Sequence, residues 1–208
     1  MNQSILVTGS TDGIGKETAK KLAASGYMVV IHGRNEDLVK KTLDEIKDQT
    51  VNSEITGYTS DFESLKEVAQ MADHINKDFK KLDILINNAG VFQKERQLTQ
   101  DGYEKTFQIN HLAPFLLTNK IRGLVENASQ GRIVNVSSMM HSTAIEFDNL
   151  QGEQNFEGGE AYGLSKLCNV LFTYKLARIY EASPVTSNCL HPGVIGTKLL
   201  RANWPGMG

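Results

Sequence analysis

The chain has 208 residues, which suits one domain and is long enough to bury a hydrophobic core. Hydrophobic residues make up 40% and charged residues 22%, a balance that excludes a disordered or collagen-like chain. The net charge of −2 excludes a global basic field that would recruit nucleic acid or an anionic membrane.

Short apolar strands alternate with amphipathic helices along the chain. The pattern predicts strands at 5–7, 28–31, 55–58, 84–86, 133–136 and 186–190. It predicts helices at 13–25, 35–47, 65–79, 103–125 and 161–180, with a loop over 139–160. Apolar strands separated by helices indicate a parallel sheet covered on both faces. We therefore expect a single domain over 1–208 with the α/β, Rossmann-type doubly wound fold.

A glycine-rich turn follows the first strand and opens directly into a helix. Glycines let the backbone turn sharply and approach a pyrophosphate, and the helix N-terminus offers free N–H groups to the anion. The sequence from Thr8 to Gly15 therefore predicts a dinucleotide-binding turn. The predicted cofactor-binding residues of this turn are Gly9, Ser10, Asp12, Gly13, Ile14 and Gly15.

The end of the second strand bears on the choice of nucleotide. An NAD site usually places an acid there to hold the ribose 2′-OH, about 20 residues after the glycines. Here the strand ends in His32, Gly33, Arg34 and Asn35, without a carboxylate. Because a guanidinium suits a 2′-phosphate, we expect Arg34 and Asn35 to favour NADP(H), with NAD(H) as the alternative.

The spacing G-x3-G-x-G resembles the turn of the short-chain dehydrogenase/reductase family, and the resemblance continues to about Leu200. Many NADP-preferring relatives carry a base where this chain has Asp12. The resemblance implies that Asp61 contacts the adenine. It also implies that the NNAG motif at the end of the fourth strand, with Asn88, Ala89 and Gly90, passes close to the cofactor.

Tyr162 and Lys166 lie four positions apart, so they share one face of the predicted helix. A neighbouring ammonium stabilises a phenolate and lowers its pKa, which would make Tyr162 a general acid/base. The family resemblance implies that Tyr162 and Lys166 also contact the cofactor, with Lys166 bonding the nicotinamide ribose. Ser137 and Ser138 both end the fifth strand, and the pattern alone does not choose between them. The family pattern favours Ser138 as the residue that orients the substrate oxygen.

Asn110 lies inside the long predicted helix, four residues before Pro114. Since Pro114 has no N–H, we expect a kink that leaves the Asn110 carbonyl free. The resemblance implies that this asparagine holds a water in a proton relay from Lys166, whereas the alternative is an ordinary proline kink. A further family segment near the end of the chain would flank the nicotinamide through Pro192, Gly193, Ile195 and Thr197.

These motifs together imply hydride transfer between a nicotinamide cofactor and an alcohol, aldehyde or ketone, with Asn110, Ser138, Tyr162 and Lys166 as catalytic residues. The long stretch between Ser138 and Tyr162 and the sequence after Lys166 resemble the retinol dehydrogenase-like subgroup, which implies lipophilic substrates. One rival is a catalytically silent NADP-sensing or interaction protein on the same fold. An epimerase or dehydratase of the extended families ranks below it.

Several further expectations concern partners and context. No apolar run approaches the roughly 20 residues that span a bilayer, and the first residues lack a signal-peptide pattern. Cys168 and Cys189 belong to no zinc-like cluster. We expect a cytoplasmic protein without metal, membrane span or nucleic-acid partner, and a homo-oligomer is an option. The sequence stops at Gly208, so we expect it to lack the family's usual C-terminal substrate-capping region.

Overall fold

The computed structural model describes residues 3–193 and 195–196. Its six strands are β1 Ser4–Val7, β2 Met28–Gly33, β3 Ile55–Thr59, β4 Ile84–Asn87, β5 Arg132–Val136 and β6 Thr186–Leu190. They form one parallel sheet in the order β3-β2-β1-β4-β5-β6. The direction of winding reverses beside β1, which opens a crevice at the carboxyl ends of the strands. The predicted doubly wound fold is confirmed.

The helices connect the strands and cover the sheet. They are α1 Gly13–Ala24, α2 Glu36–Thr50, α3 Leu65–Asp78, α4 Lys105–Phe107, α5 Ala113–Glu126 and α6 Gly158–Ile179. Helices α1 and α2 pack on one face of the sheet, whereas α3, α5 and α6 contribute to the larger core cluster on the other face. None of the helices in the described part of the chain is long and apolar enough to cross a bilayer.

Alternate side chains of β2 belong to the two hydrophobic clusters on opposite faces of the sheet. Val30 belongs to the larger cluster, while its neighbours Val29 and Ile31 belong to the smaller one. Successive side chains of a strand point to opposite faces, so a strand that is covered twice must be apolar throughout. All three side chains are at most 1% exposed. Each such burial stabilises the fold by about 1.5–3 kcal/mol.

Side-chain caps set where several helices begin. The Asn35 side-chain oxygen accepts a hydrogen bond from the Leu38 N–H at 2.9 Å at the start of α2. Glu157 accepts one from the Glu160 N–H at 2.8 Å at the start of α6. These caps satisfy N–H groups that have no partner inside the helix. Helix α6 therefore begins at Gly158, slightly before the predicted start near residue 161.

The helix predicted at 103–125 is not continuous. It consists of α4, a π-helical turn at Gln108–Leu112 and α5, in which Pro114 occupies the first turn. The Ala113 N–H donates to the Gln108 carbonyl, five residues back. Since Pro114 offers no N–H, the chain absorbs the missing bond by widening one turn. The interruption falls on the turn that contains Asn110.

The predicted loop between β5 and α6 packs against the segment before α4. It contains a single 3₁₀ turn at Phe147–Asn149. The Gln151 carbonyl accepts from the Arg96 Nε at 2.8 Å, and the Gln151 side chain accepts from the Glu104 N–H at 2.7 Å. These two bonds tie the loop to the end of the sheet that carries the crevice.

Candidate functional site

A cleft of about 470 Å³ opens at the carboxyl ends of the strands. Its walls join the glycine-rich turn, the ends of β2 and β3, the segment after β4 and the first turns of α6. Its described lining residues are Gly9, Thr11, Asp12, Gly13, Ile14, Gly15, His32, Gly33, Arg34, Ser60, Asp61, Phe62, Asn88, Ala89, Gly90, Val91, Ile109, Val136, Ser137, Tyr162, Lys166 and Pro192. The cleft therefore brings most of the predicted nucleotide residues together with Tyr162 and Lys166.

The glycine-rich turn depends on its glycines for two different reasons. Gly9 and Gly13 adopt positive φ angles of 63° and 54°, a region that other residues rarely enter. At Gly15, a Cβ atom would lie 2.3 Å from the Gly9 carbonyl oxygen. The Asp12 side chain accepts from the Gly13 N–H at 2.9 Å and so begins α1. The turn thus leaves the start of α1 open to the cleft.

Ser10 takes a different place from the rest of the turn. Its hydroxyl is fully buried and donates to the Val7 carbonyl at 2.7 Å, and it accepts from the His32 N–H at 2.9 Å. Ser10 does not line the cleft, because its side chain points into the protein and hydrogen-bonds the backbone of β1 and β2. Contact between Ser10 and a nucleotide stays a prediction.

Arg34 lines the cleft just beyond β2, and its side chain is 70% exposed. Its Nη1 lies 4.0 Å from the Glu63 Oε1. The same carboxylate oxygen forms an ion pair with the Lys105 Nζ at 2.7 Å. Asn35 does not line the cleft, since its side chain caps α2. The guanidinium is therefore available to an anion at this end of the cleft, and the predicted role of Asn35 stays a prediction.

The segment after β4 crosses close to the glycine-rich turn. The Asn88 amide donates to the Thr8 carbonyl at 2.8 Å and to the Gly9 carbonyl at 3.1 Å. The Thr8 hydroxyl accepts from the N–H groups of Asn88 and Ala89, each at 3.0 Å. A Cβ atom on Gly9 would approach the Ala89 Cα to 2.8 Å. Asn88 therefore holds the segment after β4 against the glycine-rich turn and so fixes the shape of the cleft between them.

Two more predicted residues line the cleft near these loops. Asp61 accepts from the Glu63 N–H at 2.9 Å, and its own N–H donates to Glu67 at 2.8 Å. Gly90 lies where a Cβ atom would stand 3.4 Å from the Asn110 Oδ1 and 3.5 Å from the Lys166 Nζ. Gly90 thus marks the point where the nucleotide part of the cleft meets the candidate catalytic residues.

Tyr162 and Lys166 line the other end of the cleft, and Ser138, which is not among the lining residues, lies beside Tyr162. The Ser138 hydroxyl lowers the pKa of the Tyr162 phenol and so stands next to it, and the Lys166 Nζ lies 5.5 Å from the centroid of the tyrosine ring. The Lys166 Nζ donates to the Val136 carbonyl at 3.0 Å. Ser137 is buried and donates to the Lys166 carbonyl at 2.9 Å. The geometry therefore pairs Ser138, rather than Ser137, with the tyrosine hydroxyl.

The electrostatics of this group differ from the expectation. Burial raises the pKa of the Tyr162 phenol, and its hydrogen bond with Ser138 opposes that change only in part. Burial also lowers the pKa of Lys166 to about 8. The prediction that Lys166 lowers the pKa of Tyr162 is therefore wrong for the protein alone. The ammonium lies over the ring and bonds the Val136 carbonyl, and burial raises the pKa of the phenol more than Ser138 lowers it.

Asn110 is 1% exposed and uses both its side chain and its main chain. Its Oδ1 accepts from the Val91 N–H at 2.7 Å, and its Nδ2 donates to the Val91 carbonyl at 2.9 Å and the Ser165 Oγ at 3.0 Å. Its backbone carbonyl accepts from the Asn169 Nδ2 at 3.0 Å. The expectation of a free carbonyl is therefore wrong. The helix is interrupted as expected, but the Asn169 side chain donates a hydrogen bond to the Asn110 carbonyl.

The segment after β6 is only partly described. Pro192 lines the cleft, whereas Gly193 and Ile195 do not. Ile195 is 47% exposed. Thr197 lies outside the described residues. Contacts between a nicotinamide and Gly193, Ile195 or Thr197 stay predictions.

Some residues of the site were not predicted. Thr11, His32 and Phe62 line the nucleotide end of the cleft, and Val91 lines its middle. His32 carried a usable signal, because a histidine at the end of an otherwise apolar buried strand needs buried hydrogen-bond partners. Asn169 also carried one, since it occupies the interior of a helix where asparagine is unfavourable.

Comparison with known proteins agrees with this architecture. The sequence model of the short chain dehydrogenase family matches residues 3–207. Human retinol dehydrogenase 11 is 40% identical over 198 residues, which cover 95% of this chain and 62% of that protein. Human polyprenol dehydrogenase is 40% identical over 203 residues, which cover 94% of this chain and 62% of that protein.

A solved short chain dehydrogenase from Escherichia coli, complexed with NADPH, is similar with a TM-score of 0.81. It is 26% identical, and the match covers 99% of this chain and 83% of that one. The chain spans about three fifths of the length of the retinol dehydrogenases that it matches, 62% in the case of the human protein. By the family match over nearly its whole length, the chain belongs to the short chain dehydrogenase family.

Proposed function

We propose that the protein is an NADP(H)-dependent oxidoreductase that interconverts an alcohol and the matching carbonyl compound. The observation that carries the proposal is the position of the Tyr162–Ser138 pair, beside Lys166, at one end of a cleft whose other end is the glycine-rich turn. A general acid/base and a nucleotide site in a single cleft are what hydride transfer to or from a carbon–oxygen bond requires.

The residues of the cleft fit a dinucleotide. Gly9 and Gly15 stand where a Cβ atom would collide with backbone, so only glycine leaves room for close approach at this turn. The open start of α1 would bind the pyrophosphate through its N–H groups. The nicotinamide cofactor would supply or accept the hydride. The chain itself would hold the cofactor with the turn, Asp61, Asn88 to Gly90 and Pro192.

The proposed proton chemistry belongs to the residues of α6 and β5. Tyr162 would donate a proton to the carbonyl oxygen in reduction and take it back in oxidation. Ser138 would orient that oxygen, because its hydroxyl acts on the Tyr162 phenol and lowers the pKa of the phenol. The raised pKa of Tyr162 keeps the phenol protonated at neutral pH, so the proton for reduction would be in place before the substrate binds. Lys166, with a pKa near 8, would exchange protons through the Asn110 region.

NADP(H) is favoured over NAD(H) by the end of β2. No carboxylate stands at positions 32–35, and the Arg34 guanidinium lines the cleft and is mostly exposed. A guanidinium binds a 2′-phosphate by two charge-assisted hydrogen bonds. The similar Escherichia coli structure is complexed with NADPH, in agreement with this preference. Glu63 stands beside Arg34 and would have to release it.

A lipophilic alcohol is the proposed substrate class. Met139 and Met140 follow Ser138 directly, and their side chains are 78% and 46% exposed. The Phe92 ring lies 5.6 Å from the Tyr162 ring. Phe92 thus lies beside the candidate acid/base and the two methionines follow Ser138 in the chain, and the similar proteins named for retinol and polyprenol point to the same class. Apolar surface of this kind would favour long hydrocarbon chains over short ones.

Calorimetric titration of the purified chain with NADPH and then NADH tests the nucleotide site. We expect NADPH to bind more tightly, and an Arg34→Ala variant to lose most of the difference. A preference for NADH would overturn the NADP assignment. Turnover of a series of primary alcohols of increasing chain length then tests the activity, with Tyr162→Phe as the inactive control. Nucleotide binding without turnover of any alcohol or aldehyde would favour the nucleotide-sensing alternative.

A further inference from the structure

We propose that His32 is a positioning residue of the nucleotide site, acting as a neutral clip that holds the walls of its adenosine end in place. The inference rests on the proposed function, since it concerns the same cleft. His32 is 3% exposed and ends β2, where the glycine-rich turn and the end of β3 meet. Nothing in the predicted motifs assigns it a role.

The hydrogen bonds of His32 define its protonation state. The Gly9 N–H donates to the His32 Nδ1 at 3.1 Å. The His32 Nε2 lies 3.0 Å from the Ser60 carbonyl oxygen. An N–H can only donate and a carbonyl oxygen can only accept, so Nδ1 carries a lone pair and Nε2 carries the proton. Only the neutral Nε2–H tautomer makes both bonds.

The rest of the residue strengthens the same junction. The His32 ring stacks on Phe62 with centroids 4.4 Å apart and planes inclined by 24°. Its main chain exchanges hydrogen bonds with Ser10, because the Ser10 N–H donates to the His32 carbonyl at 2.8 Å and the Ser10 hydroxyl accepts from the His32 N–H at 2.9 Å. Side chain and backbone therefore fasten β2 to both neighbouring loops.

The residues that His32 holds are themselves walls of the cleft. Gly9, Ser60 and Phe62 all line it, as His32 does. The Gly9 N–H belongs to the peptide whose Thr8 carbonyl accepts from the Asn88 amide at 2.8 Å, so His32 and Asn88 hold the two polar groups of this peptide. Fixing this peptide and the Phe62 ring before the nucleotide arrives lowers the ordering cost of binding. The burial that lowers the pKa of His32 to about 4 keeps the clip neutral at physiological pH.

The test uses NADPH and the fragment 2′,5′-ADP, which carries the adenosine end alone. Their dissociation constants are measured by calorimetry for the wild-type chain, His32→Ala, His32→Asn and Asn52→Ala. Asparagine can replace the Nδ1 acceptor with its Oδ1 and should partly rescue binding. Asn52 is the matched control, because its amide bonds the Ala23 and Tyr27 carbonyls at 2.8 and 2.9 Å, joining two segments away from the cleft.

We expect His32→Ala to weaken both ligands about tenfold, because the Gly9 peptide and the Phe62 ring would then have to be ordered when the ligand binds. His32→Asn should recover most of the loss, and Asn52→Ala should bind like the wild type. The proposal is overturned if His32→Ala binds within twofold of the wild type, if His32→Asn binds no better than His32→Ala, or if Asn52→Ala loses as much affinity. Failure of the wild type to bind NADPH would instead contradict the proposed function.

A measurement on the wild-type chain keeps the proposal testable if His32→Ala does not fold. Nitrogen-15 NMR of labelled histidine at neutral pH reports which ring nitrogen carries the proton. With and without 2′,5′-ADP, His32 should be the neutral Nε2–H tautomer. A protonated ring or the Nδ1–H tautomer in the complex would overturn the clip.

Discussion

The Asn169 side-chain amide donates to the backbone carbonyl of Asn110 at 3.0 Å, across the interface between α6 and the π-helical turn. Pro114 leaves that carbonyl without the N–H that a regular helix would supply. On its other side, the Asn169 Oδ1 lies 3.1 Å from the His111 Nδ1. Asn169 therefore satisfies two polar groups of the interrupted helix and sets the direction of the Asn110 carbonyl.

Replacing Asn169 with leucine should destabilise the fold and slow turnover. The change leaves the Asn110 carbonyl and the His111 ring without these partners in a buried place, which costs about 1–3 kcal/mol each. Urea unfolding measures the stability, and kcat with the NADPH dissociation constant measures the site. We expect a lower kcat with nearly unchanged NADPH affinity.

The control for Asn169 is Thr173→Val, one turn further along α6. The Thr173 hydroxyl donates to the Asn169 carbonyl at 2.8 Å and accepts from the Asn135 Nδ2 at 2.9 Å, so its loss also breaks buried hydrogen bonds. It does not touch Asn110. An equal decrease in kcat for both variants would show that general destabilisation, not the carbonyl, controls the rate.

Tyr162→Phe should remove turnover and spare nucleotide binding. The substitution deletes the only proton donor of the side chain and leaves the ring, which packs against Phe92. Loss of a general acid/base lowers kcat by about 10²–10⁴-fold. We expect the NADPH dissociation constant to stay within about threefold of the wild-type value, because the substitution leaves the aromatic ring in the wall of the cleft. Retention of more than a tenth of the wild-type kcat would refute the assignment.

Gly15→Ala should be strongly unfavourable, unlike Gly123→Ala. A Cβ atom on Gly15 would lie 2.3 Å from the Gly9 carbonyl oxygen and 2.4 Å from the Asn88 Nδ2, so the turn must shift, at a cost of about 1–3 kcal/mol. Gly123 lies in α5 with no atom within 4 Å of its added Cβ. Alanine there should stabilise the helix by about 0.5–1 kcal/mol.

Urea unfolding measures both glycine variants, and NADPH titration should show weaker binding for Gly15→Ala alone. Equal stability of the two variants would contradict the close packing of the glycine-rich turn against the carbonyl of Gly9.

Stability should fall in acid because of His32. Burial lowers its pKa from 6.5 in the unfolded chain to about 4, so the unfolded chain binds a proton that the folded chain does not between these values. The stabilisation is fully present above about pH 6.5 and is lost as the pH falls towards 4, by on the order of 3 kcal/mol.

The difference in unfolding free energy between the wild type and His32→Asn isolates this effect, because other acid-sensitive groups such as Asp83 are common to both chains. That difference should shrink as the pH falls from 6.5 to 4. A difference that is constant over this range would mean that His32 titrates normally in the folded protein.

Local pattern in the sequence determined the fold and most of the cleft. Apolar strands and amphipathic helices repeat along the chain, and a sheet covered on both faces is the packing that buries them all. The turn from Gly9 to Gly15 and the pair of Tyr162 and Lys166 are short-range patterns whose spacing already carries their geometry. The absence of an acid at positions 32–35, where an NAD site usually has one, could also be observed without a structure.

Contacts between distant parts of the chain were decided only by the tertiary structure. His32 meets Gly9 across 23 positions, and Asn169 meets Asn110 across 59. Whether Ser137 or Ser138 bonds Tyr162 depends on how β5 meets α6, and no periodicity encodes it. The raised pKa of Tyr162 likewise depends on burial, which is a property of everything packed around the phenol rather than of the residues next to it in sequence.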